Sequence, residues 1–216
     1  MAVLGPGPAH AGEPPGIAVL GGSFNPPHAT HARLCASALQ HLPIDQVRVV
    51  PAGDHPHKQG RDMASATNRL AMCRLAFAGL DRVVVDDREV QRTGPSFTVD
   101  TLEELHQEAP LRGLFFLIGS DNLPLLPSWR HHHRILQICT VVTWPRLLHP
   151  IGPEQLVGLD LTEAERRQLL ANVLPLPACA HAASDVRARW RAGERSLAEL
   201  CPAVEQYIAA HHLYSP

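Results

Sequence analysis

Ile17-Ala18-Val19-Leu20-Gly21-Gly22-Ser23-Phe24-Asn25-Pro26-Pro27-His28-Ala29-Thr30-His31 decides how this chain folds. The first four residues are an unbroken apolar run, the pattern of a strand buried on both faces. The stretch that follows, Ala32 to Gln40, has helical spacing. A strand, a glycine turn and a helix start together make a phosphate cradle, because backbone N–H groups and the positive end of the helix dipole point at one spot. The glycines are expected to let the chain turn tightly and to let a ligand approach the backbone. The two prolines suit a turn and a first helical turn, where a missing N–H is harmless. His28 and His31 are three apart, so on a helix they share a face and aim both imidazoles at an anion held by the turn.

The bulk properties narrow the class. The chain has 216 residues, 45% of them hydrophobic, which suits one globular domain. We read residues 1–16 as a flexible N-terminal tail and 17–216 as a single domain; the tail has neither the cationic start nor the apolar centre of a signal peptide. Net charge is -2 with neutral histidines, so there is no basic surplus to hold a nucleic-acid backbone. No apolar run approaches the length of a membrane span. Five scattered cysteines without a C-x-x-C pair suggest neither zinc nor a disulfide framework, and a reducing cytoplasm is the simplest setting.

Apolar runs then alternate with helical patterns. Strands are predicted at 17–20, 47–51, 82–85, 114–118 and 140–144. Helices are predicted at 65–80, with Ser65 or Thr67 as N-cap, at 98–108, at 184–191 ended by Gly193, and from Pro202 to His211. This alternation is that of an α/β fold with a Rossmann-like, doubly wound parallel sheet and a small C-terminal helical part. The segment 147–168, with Pro150, Gly152 and Pro153, reads as an irregular connection. In such sheets ligands bind beyond the carboxyl ends of the strands. The glycine turn, 51–58, 93–98 and 119–129 all follow strands and are expected to converge on one cleft. His131-His132-His133 invites a metal reading, but consecutive residues do not share a helix face, so these are expected to be solvated and no dedicated metal site is predicted.

Further segments complete a pattern: Asp54-His55-Pro56-His57-Lys58, Gly94-Pro95-Ser96-Phe97-Thr98, Gly119-Ser120-Asp121, Pro127-Ser128-Trp129 and Ser184-Asp185-Val186-Arg187. In order and spacing the chain, from about Ile17 to Tyr214, resembles the bacterial nicotinate-nucleotide adenylyltransferases. Their nucleotidyltransferase superfamily is marked by a glycine turn, a proline and His-x-Gly-His. The glycine between the histidines is Thr30 here, and the family's Ser-Ser-Thr-x-Ile-Arg stands as Ala182-Ala183-Ser184-Asp185-Val186-Arg187.

The resemblance implies adenylyl transfer from ATP to nicotinate mononucleotide, giving deamido-NAD and pyrophosphate in NAD biosynthesis, with Mg²⁺ arriving on ATP. It implies His28, His31, Lys58 and Arg187 as catalytic residues. Gly21, Gly22, Ser23, Phe24, Gly119, Asp121 and Ser184 would bind ATP together with His28, His31 and Arg187. Lys58, Ser96, Phe97, Thr98 and Trp129 would bind the mononucleotide, Trp129 by stacking on its ring and Ser96 to Thr98 by framing the carboxylate; His57 is a weaker candidate. The expected partners are small nucleotides, not nucleic acid or membrane, and a homo-oligomer is left open. Two alternatives stand beside this reading. One is transfer to another acceptor, nicotinamide mononucleotide or phosphopantetheine; the other is a non-catalytic nucleotide-binding protein of the same fold.

Overall fold

The structure is a computed structural model that describes residues 14–53, 63–177 and 182–215. The tail expected at 1–16 lies almost wholly outside these, as do Lys58 and its neighbours His55 and His57.

The elements run β1 (Gly16–Gly22), α1 (Ala29–His41), β2 (Ile44–Pro51), α2 (Ala66–Phe77), β3 (Val83–Val85), α3 (Arg88–Gln91), α4 (Thr98–Glu108), β4 (Leu114–Gly119), α5 (His132–Ile138), β5 (Thr140–Trp144), α6 (Glu163–Ala171), α7 (Ala183–Arg191) and α8 (Pro202–Ala210). Two 3₁₀ stretches, Ser120–Ser128 and Pro153–Leu156, follow β4 and β5. The five strands form one parallel sheet in the order β3-β2-β1-β4-β5. The order turns back between β1 and β4, and the glycine turn leaves β1 at that switch point, where open α/β sheets take their ligands. β1 pairs with β4 from Ile17 opposite Leu114 to Leu20 opposite Leu117, and β4 pairs with β5 from Phe115 opposite Thr140 to Gly119 opposite Trp144.

The described chain divides into two compact units. The first holds the residues up to Gly21, 34–48 and 97–177; the second holds 22–33, 49–96 where described, and 182–215. In the first, Ile17 to Leu20, Leu117, Ile118, Val141 and Val142 are all buried, which is what continuous apolar strands require. Arg112 fastens the start of this sheet, its guanidinium donating to the carbonyls of Pro15 and Gly16 and pairing with Asp45. In the second, the core is Met72 from α2, Val186 and Trp190 from α7, Val204 and Ile208 from α8, with Leu197, Leu200 and Tyr214. Val186 and Trp190 are four apart, and so are Val204 and Ile208, so each helix turns one apolar stripe inward.

The strand and helix expectations hold within a few residues, with Ser65 capping α2 by accepting from the Asn68 N–H at 3.3 Å. Three differ. The connection at 147–168 contains most of α6, started by a capping box in which Thr162 accepts from the Glu165 N–H at 3.2 Å and Glu165 accepts from the Thr162 N–H at 2.7 Å. The turn after β1 does not take its positive φ at a glycine: Phe24, at φ 45°, carries it. His132 is buried rather than solvated, its Nε2 2.9 Å from the carbonyl of Asp160.

Candidate active site

The glycine turn and the start of α1 are built from the inside of the second unit. Phe24 is buried, its ring tilted against His31 at 4.9 Å and edge-on to Phe77 at 6.2 Å. That packing holds its left-handed backbone in place, a conformation disfavoured for a bulky side chain. A Cβ on Gly21 would make only ordinary contact with Phe116 at 3.6 Å, and one on Gly22 would touch the Phe24 ring at 3.4 Å. Neither glycine is demanded by φ or by internal crowding, so the tight-turn reason expected for them does not hold at these positions.

Asn25 is the node of this loop. Its Oδ1 accepts from the Ala64 N–H at 3.0 Å and from the Tyr214 hydroxyl at 2.8 Å, and its carbonyl accepts from Arg187 Nη1 at 2.8 Å. Burial pushes the Tyr214 phenol well above its usual range, so it stays a donor. Arg69 is buried beneath the same loop: Nη1 donates to the Ser23 carbonyl at 2.9 Å, Nη2 to the Gly53 carbonyl at 3.1 Å and Nε to the Ala64 carbonyl at 3.0 Å. One planar fork thus fixes three separate stretches of backbone, a task for guanidinium and not ammonium.

His28 and His31 lie together, ring centroids 3.9 Å apart. The His28 N–H donates to His31 Nδ1 at 3.1 Å. In the neutral ring this places the His31 proton on Nε2, which is therefore a donor. Thr30 is buried between them in sequence, its hydroxyl accepting from Arg33 Nη2 at 3.4 Å.

Arg187 comes from α7, one residue after the buried Val186. Nη1 is held by Asn25, and Nε is buried with no hydrogen-bond partner among the described residues. Ser184 is exposed in the first turn of α7, whose N-cap position, Ala182, has no capping side chain. So His28, His31, Arg187, Ser23 and Phe24 stand in one unit with the start of α7, where the Asp185 carboxylate accepts from the Ala182 N–H at 3.4 Å.

The remaining candidates are described by their own surroundings. Ser96 is half-buried and its hydroxyl lies 3.5 Å from the Glu89 carbonyl. Phe97 and Thr98 form the start of α4, and the Arg130 guanidinium sits 4.6 Å over the Phe97 ring. Trp129 is half-buried and meets Phe116 edge-on at 5.9 Å. Gly119 ends β4, and a Cβ there would collide with the Asp121 carboxylate, which folds back over it and lies 3.7 Å from Arg146 Nε. That carboxylate faces the Arg146 guanidinium. Asn25, Arg69, Tyr214 and Arg130 are the residues sequence reading missed. Each acts through partners distant in sequence or through main-chain carbonyls, which no local pattern encodes.

The cytidylyltransferase-like family profile matches residues 19–172. A protein of Albidiferax ferrireducens named as a probable nicotinate-nucleotide adenylyltransferase is 43% identical over 92% of this chain and 97% of its own length. A Synechococcus protein of the same name is 35% identical over 92% of this chain and 94% of its own. The fold matches that of Plasmodium falciparum nicotinic acid mononucleotide adenylyltransferase complexed with NaAD, with TM-score 0.71, 17% identity and coverage of 93% and 98%. No helix among the described residues is long and apolar enough to cross a membrane. The chain belongs to the nicotinate-nucleotide adenylyltransferase family, within the cytidylyltransferase-like group.

Proposed function

We propose that this chain transfers the adenylyl group of ATP to nicotinate mononucleotide, forming deamido-NAD and releasing pyrophosphate, a step of NAD biosynthesis. A phosphate oxygen of the mononucleotide attacks the α-phosphorus of ATP. The bond from that phosphorus to the bridging oxygen breaks, and pyrophosphate leaves with the electron pair. The attacking phosphate is already mostly ionised near neutral pH, its second pKa being about 6, so no strong general base is needed. The demand is to align two anions that repel each other and to stabilise charge building on the triphosphate.

The observation that carries this reading is the grouping of His28, His31 and Arg187 around the Asn25 turn. His31 Nε2–H and the His28 ring donate to the triphosphate, and Arg187 adds a fixed positive charge. Ser184 and the N-terminus of α7 supply further donors. Gly21 to Phe24 offer backbone to the nucleotide, and Gly119 and Asp121 take its ribose. Lys58 neutralises phosphate from the segment outside the described residues. Magnesium enters as part of the ATP substrate and keeps several waters.

On the acceptor side, Trp129 stacks on the pyridine ring, and Ser96, Phe97 and Thr98 frame its carboxylate. The Arg130 guanidinium beside Phe97 favours a carboxylate over an amide, whose NH₂ cannot accept from the same donors. A cytoplasmic setting and small-molecule partners belong to the same proposal. The test is pyrophosphate release from Mg-ATP with nicotinate mononucleotide, nicotinamide mononucleotide or phosphopantetheine. Strong preference for the first is expected. Preference for either other acceptor overturns the acceptor assignment, and no release with any, despite ATP binding, overturns catalysis.

A further inference from the structure

His131, His132 and His133 open α5, and the backbone turns the second and third of them toward one carboxylate. His131 is left-handed, at φ 52° and ψ 45°, and this kink precedes the first helical residue. His132 then tucks inward, 8% exposed, with Nε2 at 2.9 Å from the Asp160 carbonyl oxygen and 3.8 Å from Asp160 Oδ2. His133 Nε2 lies 3.8 Å from the same Oδ2. The two rings are 4.0 Å apart, and one ligand atom from each of the three residues falls within 4.8 Å of the others.

Glu165 supplies a second, independent feature. Its Oε1 lies 2.7 Å from His133 Nδ1. In the neutral ring that contact keeps the proton on Nδ1 and turns the Nε2 lone pair toward Asp160. An imidazole lone pair and a carboxylate oxygen then face each other, an arrangement that needs a proton or a metal ion between them. A carboxylate on the far nitrogen is also the usual support of a metal-bound histidine, fixing its tautomer and raising its basicity. Ligands about 2.0–2.1 Å from one ion sit roughly 3.0–3.4 Å apart. The 3.8 Å separations need only a small contraction, and the Asp160 side chain, 78% exposed, has room to make it. The Asp160 carbonyl offers a fourth oxygen, and His132 would take the tautomer with its proton on Nδ1.

We propose that His132, His133 and Asp160 form a binding site for one divalent transition ion of the zinc class. Two imidazoles and one carboxylate suit zinc, cobalt or nickel and do not suit magnesium, which prefers all-oxygen shells. The ion would join the first turn of α5 to the connection just before α6, whose capping box already engages Glu165. It acts on stability and takes no part in adenylyl transfer.

The test uses the metal-stripped full-length chain, titrated with Zn²⁺ by calorimetry and with Co²⁺ by its visible absorbance. D160N and H133A are compared with wild type after circular dichroism shows that each is folded. One ion per chain is expected, weakened at least tenfold in each variant, with Tm raised about 5 °C in wild type at a hundredfold excess over Kd. Mg²⁺ at millimolar concentration should not compete. Binding that is absent, or unchanged in both variants and so held by other histidines, overturns the site. Pyrophosphate release by H133A should match wild type, separating this result from any failure of the adenylyltransferase reading.

Discussion

Arg187 Nη1 donates to the carbonyl oxygen of Asn25 at 2.8 Å, across 162 residues of sequence. The bond holds one arm of the guanidinium against the loop that leads into His28 and leaves the fork oriented. Arg187→Lys keeps the charge but cannot hold the carbonyl and present a planar pair of donors together. We expect turnover to fall roughly ten- to a hundredfold, with folding unchanged. A lysine variant with wild-type kcat would remove Arg187 from the reacting phosphates.

The His28 N–H bond to His31 Nδ1 makes a tautomer prediction. His31→Ala removes an Nε2–H donor and should lower kcat roughly ten- to a thousandfold while moving the ATP KM much less. A loss confined to KM would mean that His31 binds the ground state only. The ¹⁵N shifts of the neutral ring should report protonated Nε2; the opposite tautomer would refute the bond as drawn.

Arg69 is a positioning residue, buried and bonded to the carbonyls of Ser23, Gly53 and Ala64. Arg69→Met deprives three acceptors of a donor and should destabilise the chain by about 3 kcal/mol or more. The measurement is the urea midpoint at unchanged m. Among molecules still folded, Arg69→Lys should lower kcat more than either KM, because the Ser23 carbonyl loses its clamp. Equal midpoints for wild type and Arg69→Met would show that the carbonyls find other partners.

These residues mark what sequence reading reaches. The alternation of apolar runs and helices was enough for the sheet, because continuous burial leaves a continuous apolar record. α6 was also written locally, as Thr162-Glu163-Ala164-Glu165, yet Pro150 and Pro153 masked it by suggesting irregular chain throughout. Arg69 was not legible: in the sequence it is one more charge in a helix, and its partners are backbone atoms that carry no side-chain code. His132 was misjudged because helical periodicity ignores what a distant loop, here at Asp160, can bring to a helix terminus. His28, His31 and Arg187 can be picked out because their motif is contiguous or opens a helix, and the structure groups them around the Asn25 turn.

Trp129 meets Phe116 edge-on and is half-buried, so its removal has a packing effect as well as the proposed binding effect. The two separate by substrate. Trp129→Ala should raise the mononucleotide KM much more than the ATP KM, whereas Trp129→Phe should restore most of it by keeping an aromatic face. Equal rises in both KM values, with no rescue by phenylalanine, would assign Trp129 to the core alone.

Burial pushes the Cys35 and Cys139 thiols up to about 12. The thiolate is the reactive form, and at pH 8 a group with that pKa is ionised to about one part in ten thousand. Both should therefore resist iodoacetamide in the native chain, while Cys201, only partly buried, is modified before either of them. Raising the pH to 9 increases the thiolate fraction of each buried group about tenfold but leaves access closed, so protection should persist until urea unfolds the chain. Peptide mass mapping reads this directly. Early modification of Cys35, which is fully buried, would mean that α1, the helix carrying His31, opens on the timescale of labelling.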